Sequence, residues 1–335
     1  MGGKAVFDDV KIAAFCWGIA APLTVKYLAD HGAKVLRIES SKQIDMVRLV
    51  APYKDNISGV NRSLFFGTYN NNQYSINIDL KHPQGLEVAK KIISWADIVV
   101  ESMLPGAMKR LRLSYEETKK IKPDIIMLST CNQGQTGPDA LLKGFGTQLT
   151  AGAGFAHVTG YPDRPPVAPG MMGYTDICSA RLGATALIAA LANHRRTGEG
   201  QYIDLSQLEA GVMFLSSQIL DFDINSRVAN RTGNTSPCAA PHGAYPSKGQ
   251  DEWCVISVFD DQDWRNFCNA LANPAWTEDP QFSTLKARKE NEERLDAMVA
   301  AWTINLSAEQ IMVKLQSHGV SAGIVQSSKD LYQDP

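Results

Sequence analysis

The sequence predicts an α/β fold, with a large domain over residues 1–225 built on a parallel sheet and a smaller α+β domain over residues 226–335. Three observations carry that expectation. Short apolar, β-branched runs alternate with helix-period patterns through Leu128, the rhythm of β-α-β units whose strands lie parallel. The texture changes near Asn230 to a glycine-rich turn, a strand and a series of helices. At 335 residues the chain also exceeds what one small core organises.

In chain order, strands are expected at Val10 to Phe15, Lys34 to Ile38, Tyr74 to Ile78, Asp97 to Val100 and Asp124 to Leu128. Between them, Pro22 to His31 reads as a helix stopped by Gly32, and Pro83 to Ala96 as a helix opened by a proline in its first turn. Pro105 to Ile121 reads as a third helix. Thr130 to Gly173 is rich in Gly, Pro and Thr and reads as a long loop. Loops after strands in such sheets carry binding work, so substrate is expected there. In the second domain, Gly243 to Val258 reads as a turn then a strand, followed by helices near Gln262 to Leu271, Lys286 to Thr303 and Ala308 to His318. The sequence has no internal repeat and no low-complexity tract.

Composition excludes several classes. Lys plus Arg (33) and Asp plus Glu (35) nearly cancel, which leaves no basic field to collect nucleic acid or an anionic membrane. The start, Met1-Gly-Gly-Lys-Ala-Val-Phe-Asp-Asp9, carries acidic residues where a secretory signal needs an apolar core. The longest apolar run, Leu182 to Ala192, is too short to span a bilayer and reads as a buried helix. Cys16, Cys131, Cys178, Cys238, Cys254 and Cys268 are scattered without a close-spaced pair. That pattern fits reduced thiols in a cytoplasmic protein, and no metal site is expected. Cys16-Trp-Gly-Ile-Ala-Ala-Pro22 is not a Gly-x-Gly-x-x-Gly turn, which weighs against a nicotinamide dinucleotide. Its small residues let a ligand approach a helix start, where free amides favour anions, and equally let that helix pack on the sheet.

The most informative segment runs from Gly173 to Leu205. Asp176 stands at the start of a long small-residue helix, which ends in the basic pair Arg195-Arg196, the Thr197-Gly-Glu-Gly-Gln201 hairpin and the strand Ile203-Asp-Leu205. An Asp at such a place caps the helix by accepting bonds from first-turn amides. The same amides would keep a carboxylate nucleophile ionised and aimed. Spacing alone leaves both readings open.

This segment resembles the class III coenzyme A transferases, the family of formyl-CoA transferase and the carnitine-type CoA transferases. There a nucleophilic Asp opens an Ala- and Leu-rich helix, an Arg closes it, and Thr-Gly-x-Gly-Gln leads into a strand; Asp176, Arg196, Thr197 to Gln201 and Ile203 to Leu205 stand at the matching places. The resemblance extends through Ala20-Ala-Pro22, Lys34-Val-Leu-Arg-Ile-Glu39, Asp79-Leu-Lys-His-Pro83, Ala96-Asp-Ile-Val-Val-Glu101, Pro105-Gly106, Gly134-Gln-Thr-Gly-Pro138, Gly233-Asn234 and Asp330-Leu331. It implies a Rossmann-like large domain in an interlocked dimer, or a heteromer with a related subunit. It also implies acyl-CoA and a carboxylic acid as substrates, with no bound cofactor beyond the coenzyme A thioester itself. Family members continue past the Asp330-Leu-Tyr-Gln-Asp-Pro335 signature, so their C-terminal return segment is expected to be missing from this chain.

By resemblance, the loop of Trp17, Gly18, Ile19 and Ala20 meets the pantetheine arm and the reacting acyl group. Lys81, Arg110 and Lys143 fall on the family's basic CoA contacts, and Ile78, Met103 and Leu111 on its apolar ones. Relative to formyl-CoA transferase, Ser40 replaces a phosphate-binding Arg, Ser102 an Asn beside the adenine, Trp17 a His, Ile19 a Gln and Gly146 a Glu. Those changes argue against formate and oxalate and for a larger, less polar acyl group. The implied mechanism has Asp176 attack a thioester to form a mixed anhydride and then an aspartyl-CoA thioester, with Gly243 or Gly249 as candidate oxyanion donors. Two rivals share the fold. An α-methylacyl-CoA racemase would need a His-Asp unit where Phe145 and Gly146 stand, and a silent partner subunit would not need Asp176.

Overall fold

The computed structural model describes residues 5–170 and 173–334. The Met1 to Lys4 start, Met171 and Met172 of the expected long loop, and the last residue of the Asp330 to Pro335 signature lie outside the described residues.

The chain runs β1 (Lys11–Phe15), α1 (Ala20–Ala29), β2 (Lys34–Glu39), α2 (Leu64–Asn70), β3 (Gln73–Asn77), α3 (Pro83–Trp95), β4 (Ile98–Glu101), α4 (Ala107–Arg110), α5 (Tyr115–Ile121) and β5 (Ile126–Cys131). It continues through α6 (Gly146–Gly152), α7 (Phe155–Val158), α8 (Tyr174–Thr197), β6 (Tyr202–Ser206), α9 (Gln207–Met213) and α10 (Ser216–Asn225). Then come β7 (His242–Pro246), β8 (Trp253–Ser257), α11 (Asp261–Ala270), α12 (Leu285–Glu290), α13 (Glu292–Thr303), α14 (Ala308–Gln316), β9 (Ser321–Ile324) and α15 (Ser328–Gln333).

All neighbours in the larger sheet are parallel, in the order β3-β2-β1-β4-β5-β6. The chain builds outward from β1 to β3, then crosses back to lay β4 on the other side of β1. Between β1 and β4 the strand order reverses, the place where folds of this kind open a crevice beyond the carboxyl ends of the strands. Ile12 and Ala14 of β1 pack with Val25 and Leu28 of α1 and Leu187 of α8, while Ala13 and Phe15 face Ala89, Ile92 and Ile93 of α3. Burial on both faces is why the central strands β1, β4 and β5 read as continuous apolar runs.

The helix α8 is longer than the Leu182 to Ala192 run and, at 24 residues, is long and apolar enough to cross a bilayer. It is a core helix of this unit. Its Leu187, Ala190 and Leu191 are buried with residues of α1, and Thr24 Oγ1 of α1 donates to Ala180 O at 3.3 Å. Gly183 permits that approach, because a Cβ there would lie 3.1 Å from the Thr24 side chain. Gly198, at φ +76°, ends the helix in the left-handed region and donates its amide to His194 O at 2.7 Å.

Three sequence expectations are corrected. The helix expected over Pro105 to Ile121 is two, α4 and α5, because Arg112 turns left-handed (φ 55°) and Leu113 plunges into the core between them. Thr130 to Gly173 is not all loop, since it holds α6 and α7. The helix expected over Lys286 to Thr303 breaks at Asn291 into α12 and α13, beside the fully buried Arg288, which donates to Ala240 O, Phe282 O and Asp261.

The chain divides into two compact units, Met1–Thr159 with Pro166–Ala229, and Gly160–Pro165 with Asn230–Pro335. The second carries the antiparallel sheet β7-β8-β9 and a core around Trp264, Phe267, Phe282, Leu295 and Ile311. Gly160–Pro165 joins it through Gly233 N, which donates to Gly160 O at 2.8 Å, and Asn234 Nδ2, which donates to the Tyr161 hydroxyl at 3.0 Å. A Cβ at Gly233 would stand 2.7 Å from the Tyr161 ring, so only glycine fits there.

Candidate functional site

In a right-handed parallel sheet, α1 leaves the carboxyl end of β1 and α8 runs back toward the start of β6. Both helices therefore begin on the edge where the strand order reverses, and Asp176 opens α8 on that edge. Gly173 holds the cap position without a side-chain cap, and Asp176 is three residues further on, within the first turn. The expected capping role is thus not what its side chain does. Burial pushes its carboxyl up to about 6, instead of amide bonds holding it down.

Two glycines wall the carboxylate. A Cβ on Gly146, the first residue of α6, would fall 2.0 Å from Asp176 Oδ2, and one on Gly173 would fall 2.6 Å from the same oxygen. The two glycine backbones also touch, since the Gly173 Cβ would meet Gly146 Cα at 2.2 Å. Thr175 Oγ1 (3.2 Å) and Thr150 Oγ1 (2.7 Å) both donate to Gly146 O and lock α6 against α8. Tyr69 of α2 is near enough for the Asp176 charge to add to burial in raising its hydroxyl. Sequence reasoning missed Tyr69, whose sequence distance from Asp176 gives no signal.

The turn from Cys16 to Ile19 links β1 to α1, with Trp17, Gly18 and Ile19 half-buried and Ala20 buried at the first position of α1. Ser102 and Met103 follow β4 directly across the reversal point. Trp17 N donates to Ser102 Oγ at 2.8 Å, and the Ser102 hydroxyl donates to Trp17 O at 3.2 Å. Gly18 N donates to the Asp45 carboxylate at 3.3 and 3.2 Å. Asp45 was not foreseen as a site residue. Its one local signal is that it caps the short turn Met46–Leu49 by accepting from Val47 N.

Ile78 is buried in the cluster that holds Phe15 and Met108, and Met103 and Leu111 pack on it, so the three apolar candidates share one face of the sheet. Lys81, Arg110 and Lys143 are exposed. Among the described residues none of the three side chains is engaged in an ion pair, and the Arg110 guanidinium lies beside Gly106, 3.2 Å from where a Cβ would be. In the second unit, Gly243 lies inside β7 opposite Ile256, and Gly249 (φ +140°) turns the chain toward β8 against Glu252.

A second cluster sits at the ends of β4, β5 and β6. Glu101 accepts from Met103 N at 2.7 Å and from Gln135 Nε2 at 3.3 Å, while Gln135 N donates to both Asp204 oxygens at 3.0 Å. Burial pushes the Glu101 carboxyl up to about 7, against bonds from Ser129 and Met103 and with the Asp204 charge adding to the rise. The Gly134-Gln-Thr-Gly-Pro138 motif is thereby anchored to two carboxylates.

A family model described as CoA-transferase family III matches residues 7–335. The succinyl-CoA–D-citramalate CoA-transferase of Chloroflexus aurantiacus is 32% identical over 328 residues, 98% of this chain and 80% of that protein. The succinate–glutarate CoA-transferase of Agrobacterium fabrum is 28% identical over 99% of this chain and 83% of its own length. Among solved structures, a CAIB/BAIF family protein from Brucella suis superposes with a TM-score of 0.92 at 27% identity, covering 99% of this chain and 87% of that one.

Proposed function

This chain belongs to CoA-transferase family III and is a transferase, and we propose that it moves coenzyme A from a donor acyl-CoA to a carboxylic acid through covalent adducts on Asp176. The observation that carries this reading is the Asp176 carboxylate itself, desolvated at the start of α8 with two glycines at its Oδ2 where any side chain would collide with it. A carboxyl raised to about 6 is still mostly ionised at neutral pH, yet more basic than an ordinary aspartate and so a better nucleophile.

An Asp176 oxygen attacks the thioester carbonyl, the C–S bond breaks, and the CoA thiolate leaves a mixed anhydride behind. The thiolate then attacks the aspartyl carbonyl, releasing the donor acid and forming an aspartyl-CoA thioester. The acceptor carboxylate attacks that thioester in turn, and the returning thiolate takes the new acyl group and frees Asp176. Each step exchanges one activated acyl group for another, so a main task of the protein is placement of the attacking and attacked atoms. Lys81, Arg110 and Lys143 are the proposed contacts for the phosphates, and Ile78, Met103 and Leu111 form an apolar shelf for the nucleotide end. The oxyanion donors remain proposed at Gly243 or Gly249.

The name of the Chloroflexus aurantiacus relative supports a succinyl donor, and Trp17 and Ile19 support an acceptor larger and less polar than formate or oxalate. A racemase lacks support here, because Gly146 has no room for even a Cβ and Phe145 supplies no base. Exposed Ile219, Leu220, Phe222 and Ile224 on α10 support assembly as a homodimer or with a related subunit. The buried thiols support a cytoplasmic setting.

The test is intact-mass analysis after incubation with succinyl-CoA, with and without hydroxylamine, alongside CoA exchange across a panel of aliphatic and aromatic acids. A hydroxamate on Asp176 and exchange with at least one acid are expected. Exchange without any adduct on Asp176 would overturn the covalent route.

A further inference from the structure

We propose that Ser102 and Asp45 are positioning residues that fix the Trp17 to Ile19 turn, and with it the wall that selects the acyl group, rather than groups that bind coenzyme A; this rests on the transferase reading above. Three consecutive residues of the turn are gripped by side chains from three other segments. Cys16 O accepts from Arg37 Nε at 3.3 Å and Nη2 at 3.2 Å. Ser102 holds both backbone polar atoms of Trp17, and Asp45 takes the amide of Gly18, which sits at φ +72°. Arg37 and Asp45 are ion-paired with each side chain 1% exposed, so two of the three grips form one rigid piece.

A serine hydroxyl has a single proton to donate, and in Ser102 the Trp17 carbonyl receives it. Nothing is left to donate to an adenine, beside which the resemblance places this position. The bond also spans the point where the strand order reverses, joining the end of β1 to the segment after β4. Releasing it frees the Trp17 peptide while leaving Lys81 and Arg110 untouched. The consequence falls on acyl placement.

The experiment compares wild type with Ser102→Ala, Ser102→Thr and Asp45→Asn in the full chain, by calorimetry with free CoA, by thermal melting, and by kcat/KM for a short and a long acceptor acid. Ser102→Ala is expected to lower kcat about five- to ten-fold and to flatten the ratio of kcat/KM between the two acids, with CoA affinity held within about two-fold. Ser102→Thr keeps the hydroxyl and restores the ratio. A lowered melting temperature with an unchanged ratio would make these residues structural only, and a Ser102→Ala variant that loses CoA affinity would make Ser102 a ligand contact; either overturns the proposal. A wild type that binds no CoA thioester would instead remove the transferase reading, and the proposal with it.

Discussion

Gly146 and Asp176 share a space in which a single added carbon would stand 2.0 Å from the carboxylate oxygen. Real Cβ atoms do not approach oxygen so closely, so any side chain at position 146 must displace the nucleophile or the first turn of α8. The variant Gly146→Ala is therefore expected to fold but to lose about 100-fold in kcat, since a misplacement of an ångström costs on that order. Steady-state exchange together with a melting curve checks this. Wild-type rates would mean that Asp176 has slack to move.

For Asp176→Asn the expectation has two parts with opposite signs. Transfer is abolished because an amide cannot form the anhydride, while the fold is stabilised at pH 8 because a desolvated charge is removed. The upward displacement of Asp176 to about 6 puts the gain at up to about 3 kcal/mol. Chemical denaturation of both proteins measures it, and a destabilised Asn variant would show that the carboxylate makes favourable contacts.

The pH profile of activity follows from the same carboxyl. With its value near 6, kcat/KM is expected to fall as pH drops below about 6, with the deprotonated form active. A break at the ordinary aspartate value near 4 would mean that bound substrate, rather than burial, governs its charge.

Stability has its own pH dependence. Asp176 and Glu101 are both raised, to about 6 and about 7, so between the usual carboxylate range and those values the folded chain holds more protons than the unfolded one. Their contribution makes the protein more stable as pH falls through that window. Glu39 acts the other way. Burial opposes its charge, but hydrogen bonding to Arg48 and the Arg37 charge win and hold it low, so its stabilisation is lost only on further acidification. A stability maximum on the acid side of neutrality is expected, and monotonic loss from pH 8 to pH 5 would contradict it.

Arg110→Ala and Lys81→Ala are expected to weaken CoA binding about ten-fold each while the Asp176 adduct still forms at saturating donor. Calorimetry with free CoA reads this directly. Unchanged affinity in both would leave these exposed cations as ordinary surface.

The central strands β1, β4 and β5 were legible because burial on both faces favours apolar, β-branched choices, and β1 to β5 all lie within a few residues of where their runs predict them. The break at Arg112 was not, since Met108, Leu111 and Tyr115 keep a helix-like apolar spacing of three and four residues through it. At the site, the sequence pointed to Asp176 and, by resemblance, to Gly146, but not to how closely the Gly146 and Gly173 backbones close on the carboxylate. Asp45 was hidden by sequence distance, being 27 positions from the amide it holds.

The excursion of Gly160–Pro165 into the second unit means that the backbone passes between the units three times rather than once. A single proteolytic nick after Ala229 would leave the first fragment carrying Gly160–Pro165, a strip that belongs to the second unit. A fragment begun at Asn230 would lack Tyr161, and with it the ring that Gly233 and Asn234 are shaped to receive. Dissecting this protein into parts therefore calls for cutting by fold and not by sequence position.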